Sequence, residues 1–279
     1  MVDSLNNTTG VLGALKYLQS STQDLNGANA RVASGLRVAT SSEDPTAYNA
    51  AASMRGQSAS LSVVTMSLSR AESVSDTAIA AGEQISKLLI EMQKTATAAM
   101  GEDLTDDQRN DYALQFENQR KQLEQFVSNA SFDNDNLLDG SKPLGVSFVA
   151  DAEATHTLSL KGRNFMPGGP VVTLGSYHDL HSVTNAKQAV DAITESIKNV
   201  GDQLQEMTAE NKRIEAQKGF VSKLADALAS GVSRMVDTDL ASESALVQAL
   251  QVKQQLSSQA VSIANSAPNA LLSLFQPIA

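Results

Sequence analysis

The sequence has no cysteine and no tryptophan, holds only three histidines, and is 4% aromatic. Without cysteine there can be no disulfide, zinc–thiolate site or thiol nucleophile. With so few large rings and an abundance of Ala, Ser, Leu and Gln, long and closely approaching helices are favoured over a thick globular core. Basic residues are outnumbered, 21 Lys and Arg against 31 Asp and Glu, for a net charge of −10. That balance argues against nucleic acid, which needs a dense positive surface. It argues equally against an anionic membrane surface. No apolar run reaches the roughly 18 residues that would span a bilayer. The opening Met1-Val2-Asp3-Ser4-Leu5-Asn6-Asn7 has neither the basic start nor the apolar run of an ordinary signal peptide.

Catalytic and cofactor chemistry is sparse. His178 and His181 have a spacing that could bring two metal ligands together, but no thiolate accompanies them and only Asp179 is near, so they read as surface loop histidines. Gly168-Gly169 lacks the strand–glycine–helix frame of a nucleotide loop. Asp237 and Asp239 resemble paired carboxylates, yet they sit in a helix break where a capping Asp is the plainer reading. No constellation for catalysis, a metal or a cofactor emerges, and an enzyme is the least favoured class.

What the chain does have is periodicity. From Ala186 to Met235, steps of three and four pick out Val190, Ile193, Ile197, Val200, Leu204, Met207, Ile214, Val221, Leu228 and Val232, interrupted only by Asn211 and Lys218. A seam of that regularity predicts one unbroken helix of about 75 Å packed along another. Asn211 would either specify register or face water. A second seam runs from Ala47 to Ala99 through Met54, Leu61, Val64, Leu68, Ala71, Ala78, Ile85, Leu89, Met92 and Ala96, about 80 Å by the same rise. Two matched stripes in one chain predict an intrachain antiparallel pair. The segments before Ala47 and after Met235 would then leave from one end.

The expected fold is mainly α, a long antiparallel coiled-coil rod of four to five helices with a small β-hairpin insert. Residues 1–44 form an N-terminal helix for an inner core. Residues 45–140 form a long helix and a return helix, started by Ser41-Ser42-Glu43-Asp44-Pro45 and restarted by a Thr105 cap. The return helix carries Tyr112, Phe116, Gln119, Leu123, Phe126 and Ala130 inward, and the segment from Ser131 to Gly140 reads as turn chemistry. Residues 141–185 are a short insert, with alternation at Val146/Phe148, Leu158/Leu160 and Val172/Leu174 predicting a hairpin plus a third short strand. Its task would be to carry the chain back to the start of the fourth helix. Residues 186–236 are the long returning helix and residues 237–279 the C-terminal inner-core helix.

The two ends are sticky. Residues 4–38 carry an apolar stripe through Leu5, Leu12, Leu18, Leu25 and Val32. From Leu240 onward only Glu243 and Lys253 are charged, while Leu240, Leu250, Leu256, Ile263, Leu271, Leu272, Leu274 and Phe275 are apolar. Such faces need partners, either each other or neighbouring copies.

Several motifs in order carry a family resemblance. Arg31-Val32-Ala33-Ser34-Gly35-Leu36-Arg37-Val38 resembles the Arg-Leu-Ser-Ser-Gly-x-Arg-Ile signature of bacterial flagellins. Ser131-Phe132-Asp133-Asn134 with Leu137-Leu138 is similar to their Thr-x-Phe-Asn…Leu-Leu. Asn211-Lys212-Arg213, Ser233-Arg234-Met235-Val236-Asp237-Thr238-Asp239 and the close Ala264-Asn265…Pro268…Leu272-Ser273-Leu274-Phe275 resemble C-terminal flagellin elements. The short Ala-rich form resembles alphaproteobacterial flagellins. The resemblance implies a subunit that polymerises into the flagellar filament, with Arg31, Arg37, Asp44, Arg234, Asp237 and Asp239 joining the apolar residues above as assembly candidates. It implies hook-associated junction and cap proteins and an export chaperone as partners, and type III export without a cleaved leader. A hook–filament junction protein, or another coiled-coil interaction protein, is the competing reading. The chain departs from the family pattern at Asp44-Pro45-Thr46. It departs again at Glu91-Met92-Gln93-Lys94, where the innate flagellin receptor reads Arg-Val-Arg-Glu in many relatives, so recognition by that receptor is expected to be weak or absent.

Overall fold

The computed structural model describes residues 9–274, with side chains described for residues 10–266. Its helices are α1 (Thr9–Ser34), α2 (Pro45–Ala98), α3 (Asp106–Asn129), α4 (Val183–Val236) and α5 (Leu240–Leu274). Two antiparallel pairs lie between α3 and α4: β1 (Ser131–Phe132) with β2 (Asp135–Asn136), and β3 (Val146–Val149) with β4 (Thr157–Leu160). The chain divides into two compact units, one of Met1–Gly56 with Leu228–Ala279 and one of Gln57–Ala227; α2 and α4 each contribute to both.

In the Gln57–Ala227 unit the inward stripe of α2 falls where the periodicity puts it. Leu61, Val64, Leu68, Ala71, Ala78, Ile85, Leu89, Met92 and Ala96 are all buried, opposite Ile193, Val200, Met207, Ile214 and Val221 of α4. At Gly82 even an added Cβ would come within 2.8 Å of the Leu204 side chain. Both polar residues of the α4 seam are matched: Asn211 Nδ2 donates to Asp76 Oδ1 at 2.7 Å and Lys218 Nζ meets Glu72 Oε2 at 2.7 Å. These pairs run in opposite order along the two helices, which makes them antiparallel. Asn211 is half-buried and joins the two helices at the solvent edge of the seam.

Helix α3 opens on a capping box, in which Thr105 Oγ1 accepts from Gln108 N while Gln108 Oε1 accepts from Thr105 N. Arg109 ties that start to the end of α2 by donating to the carbonyls of Ala99 and Gly101. Phe116, Leu123 and Val127 are its buried positions. After Leu123 the seam advances by four to Val127, so Phe126 lies half-buried beside it rather than inward as expected.

The turn chemistry after α3 proves to be a hairpin of its own, β1–β2, turning on Asp133 and Asn134 at φ 50° and 65°. Two consecutive left-handed residues are what a two-residue hairpin loop demands, and short polar side chains tolerate them best. Arg70 of α2 pins this hairpin through Asp133 at 2.8 Å and Asp135 at 2.9 Å. The expected third strand is absent. Val172 and Leu174 are fully buried, but Thr173 N donates to Ser196 Oγ and Thr173 Oγ1 to the Ala192 carbonyl. Helix α4 satisfies this segment, and with Pro170 just ahead no ladder forms.

The insert climbs α4. The Ala150 carbonyl is held by Gln217, Arg163 by Gln203 and Glu210, and Thr173 by Ala192 and Ser196. Arg163 is the pin of this strap: its side chain is 4% exposed and faces Glu210, 12% exposed, at 3.2 Å. Gly162 before it has no room for a side chain, since a Cβ there would sit 1.7 Å from the Lys142 carbonyl oxygen. Breaking a buried pair by removing one partner strands the other charge. Arg163→Ala is therefore expected to cost about 3–5 kcal/mol, measured by urea denaturation of the monomer against the native chain.

Candidate assembly interface

The unit of Met1–Gly56 with Leu228–Ala279 brings the two nearly uncharged ends side by side. Helix α1 stops at Ser34 because Gly35 takes the left-handed conformation, φ 71°, and its N–H returns to the Arg31 carbonyl at 2.8 Å. The segment that follows forms a backbone clasp with the α4–α5 linker. Arg37 N and Val38 N both donate to the Val236 carbonyl, at 2.7 and 3.3 Å, and Thr238 N donates to the Gly35 carbonyl at 2.9 Å. Leu36 and Asp237 face each other across this short antiparallel bridge. Arg37 reinforces it by donating Nη2 to the Met235 carbonyl at 2.6 Å. Beneath the clasp Val38, Ala47, Ala51 and Val236 form a small core, with Leu36, Tyr48, Val232 and Met235 against it.

Each helix that leaves the clasp is capped by an aspartate. Asp44 Oδ1 accepts from Thr46 N and Ala47 N at 3.0 Å, starting α2. Asp239 Oδ1 accepts from Ala241 N at 3.0 Å and Ser242 N at 3.3 Å, starting α5. These are N-cap bonds, and the capping reading of Asp239 holds over that of a carboxylate pair. Glu43 stitches the linker: its Oε2 accepts from Thr40 N at 3.0 Å and Ala39 N at 2.6 Å. The Thr40 N–H first, then that of Ala39, lowers the Glu43 pKa below the ordinary 4.5, with the Arg31 charge adding to it.

Helices α1 and α5 pack antiparallel from the clasp outward. Leu25, Ala28 and Leu250 make their buried core, with Val247 against it. Across this seam Arg31 meets Glu243 at 2.6 Å, and Gln254 Nε2 donates to Thr22 Oγ1 at 3.0 Å. Farther out the pair opens into an apolar groove of about 460 Å³ lined by Gly10, Gly13, Ala14, Tyr17, Leu256 and Ala260 among others.

The candidate residues divide by position. Leu25 and Leu250 are buried between α1 and α5, and Leu18, Val32 and Arg31 are half-buried there. Leu12, Leu240, Leu256 and Ile263 are 61%, 51%, 60% and 69% exposed. Arg37, Asp44, Asp237 and Asp239 belong to the clasp and caps, and Arg234 is exposed on α4. Leu5, Phe275 and the Pro277-Ile278-Ala279 tail lie outside the described residues, as do the side chains of Leu271, Leu272 and Leu274. Sequence reasoning missed Glu243, Glu43 and the Val38–Val236 contact. Glu243 had a signal, since pairing Leu25 with Leu250 in antiparallel register sets Arg31 near it.

A helical chain whose two least charged segments are clasped together, with large apolar side chains left on the outside, is a self-associating building block. The sequence pattern of the bacterial flagellin N-terminal helical region matches residues 5–143, and that of the C-terminal helical region residues 190–275. The chain belongs to the bacterial flagellin family and is a structural subunit of the extracellular flagellar filament, not an enzyme. It is 31% identical to flagellin FljO of Caulobacter vibrioides over 275 residues, covering 99% of both chains. Flagellin FljJ of the same organism is 41% identical over 196 residues, covering 70% of this chain and 71% of the relative. A Brucella melitensis flagellin is 28% identical across 98% of this chain and 99% of its own length. The fold is also similar to a putative flagellar hook-associated protein from Vibrio parahaemolyticus, with a TM-score of 0.57 at 11% identity, covering 70% of this chain and all of that one.

Because the Glu43 pKa is depressed in the folded chain, its contribution is present above the ordinary carboxylate value and is lost as pH falls through the lower folded one. Glu43→Gln should therefore be less stable than the native chain at neutral pH, and the gap should close in acid below pH 4.5. Thermal unfolding followed by circular dichroism across pH 3–7 checks this.

Proposed function

We propose that the outward apolar residues of α1 and α5, with the ends beyond them, are the surface through which copies join into the filament. What carries this reading is the contrast within one helix pair. Leu25, Ala28 and Leu250 are satisfied inside the chain, whereas Leu12, Leu15, Leu256 and Ile263 are each more than half exposed. Burying those side chains against neighbouring copies releases apolar surface from water at roughly 25 cal/mol per Å². The contact joins unlike surfaces and does not close on itself, so it propagates as a helix of subunits. Residues 1–44 and 237–279 serve as the inner-core segments, 45–140 and 186–236 as the rod, and 141–185 as the variable insert.

Export in unfolded form through the flagellar type III apparatus suits a chain free of cysteine. A chaperone that shields the C-terminal segment before assembly suits the sparse charge after Leu240. Hook-associated junction and cap proteins, one of whose fold relatives this chain resembles, are the end partners of the polymer. Weak recognition by the innate flagellin receptor follows from Glu91-Met92-Gln93-Lys94, in which Met92 is fully buried and Gln93 is bonded to Thr194.

Removing Pro268–Ala279 should leave a soluble, helical monomer that forms no filaments under the electron microscope; filaments of normal length from that truncation would refute the role of the end. Leu256→Lys and Ile263→Lys, both at exposed positions, should keep the monomer's circular dichroism yet abolish polymerisation followed by light scattering. For the receptor, purified monomer applied to reporter cells should give little signal, and a strong response overturns that part.

A further inference from the structure

Few residues in the α1–α5 pair can tell one alignment of the two helices from another. The stripe of α1 repeats every seven residues, at Val11, Leu18, Leu25 and Val32, all of them buried or half-buried. On α5 Glu243, Leu250, Ser257 and Ala264 follow at the same interval. A stripe of that period offers similar apolar contacts after a shift of one heptad, about 10 Å. The clasp at the root of the pair is made of main-chain bonds, which read no side chains and can re-pair a few residues along.

Charge is what distinguishes the alignments. Helix α1 carries three charged residues, Lys16, Asp24 and Arg31, and α5 carries two, Glu243 and Lys253. Among the described residues, Arg31 with Glu243 is the one ion pair that joins the two helices. Arg31 grips a single carboxylate oxygen with Nε at 2.7 Å and Nη2 at 2.6 Å, and the Glu243 side chain is 12% exposed. The guanidinium lies along Gly27, where an added Cβ would meet Nη1 at 3.6 Å. Each partner also suits its helix end, since Arg31 stands in the last turn of α1 and Glu243 in the first turn of α5.

With Arg31 on Glu243 and Thr22 on Gln254, Asp24 lies level with Gln251 and Lys16 with Gln259, so like charges do not meet. A shift of one heptad toward the clasp sets Asp24 in the place of Arg31, beside Glu243, and brings Lys253 level with Lys16. A shift the other way leaves Arg31 against Leu250 and carries Glu243 past the end of α1. The observed alignment alone pairs opposite charges. It also puts Leu12 level with Ile263, two outward residues that are 61% and 69% exposed. A heptad shift would draw these apart by about 10 Å.

We propose that Arg31 is a positioning residue for filament assembly. By choosing the α1–α5 alignment through Glu243, it sets the outward apolar residues of the two helices side by side as one surface. The proposal rests on the reading above that those residues join the copies.

Replacing both partners by apolar side chains separates positioning from stability, since a buried ion pair exchanged in this way costs little. The double variant Arg31→Met with Glu243→Met is compared with the native chain and with Arg31→Lys, which keeps the charge. Spin labels at Asn29→Cys and Ser258→Cys, exposed positions in a chain without cysteine, report the alignment in the monomer by pulsed electron paramagnetic resonance. Filaments are scored by electron microscopy on the unlabelled chains. The native chain and Arg31→Lys are expected to give one distance and to form filaments. The double variant is expected to keep its circular dichroism, to show a second distance shifted by up to about 10 Å, and to form no filaments. A single native distance from the double variant, or normal filaments from it, overturns the proposal. Loss of helix in the double variant also overturns it, because the ion pair would then serve stability alone. A native chain that shows one distance yet forms no filaments would instead strike the filament reading.

Discussion

The backbone clasp between residues 35–38 and 236–238 is the constraint on which the unit at the chain's ends depends. It is made of main-chain hydrogen bonds, so it is insensitive to most side-chain changes. What it does need is a left-handed residue at Gly35, which ends α1 and frees a carbonyl to accept from Thr238. From that point α1 and α5 leave together, α1 ended by Gly35 and α5 started by Asp239. Their pairing then needs little further instruction, and a short core with one ion pair is enough to set its register.

The division of labour between charge and apolar surface is consistent through the molecule. Where the chain has settled its own packing, polar residues fix position: Asn211 and Lys218 on α4, Arg70 on the first hairpin, Arg163 in the insert. Where it awaits neighbours, charges are nearly missing, and the exposed residues of α5 are Leu, Ile and Val among Ser and Gln. An isolated surface of that kind is a liability in solution, and in a filament subunit it becomes the means of growth.

Much of this was legible in the sequence because helix periodicity persists. The seams of α2 and α4 are long enough that a single polar residue cannot mask them, and Thr105 announces a helix start by local chemistry alone. The shorter elements were harder. Val172 and Leu174 alternate like a strand, yet alternation reports only which side is buried, and α4 supplies the hydrogen bonds a neighbouring strand would have given. The β1–β2 hairpin has two residues per strand, too few for any period, so only its turn could be seen. Phe126 lost its inward place to Val127 because three- and four-residue steps are both legal and only the neighbouring surface decides between them. The ion pair of Arg31 with Glu243 joins residues far apart in sequence, and it becomes visible once α1 and α5 are known to run antiparallel.

The two polar pairs in the α2–α4 seam have a mechanical meaning. A long stripe of apolar residues looks much the same after a shift of one heptad, so such helices could slide past one another at little cost in buried area. Asn211 and Lys218 are themselves one heptad apart, so a slip of that length, about 10 Å, carries one into the other's place and leaves the second without its acid; both pairs close together in one register. The seam is therefore a slide with one full detent: smooth in its apolar contacts and held where both pairs close at once.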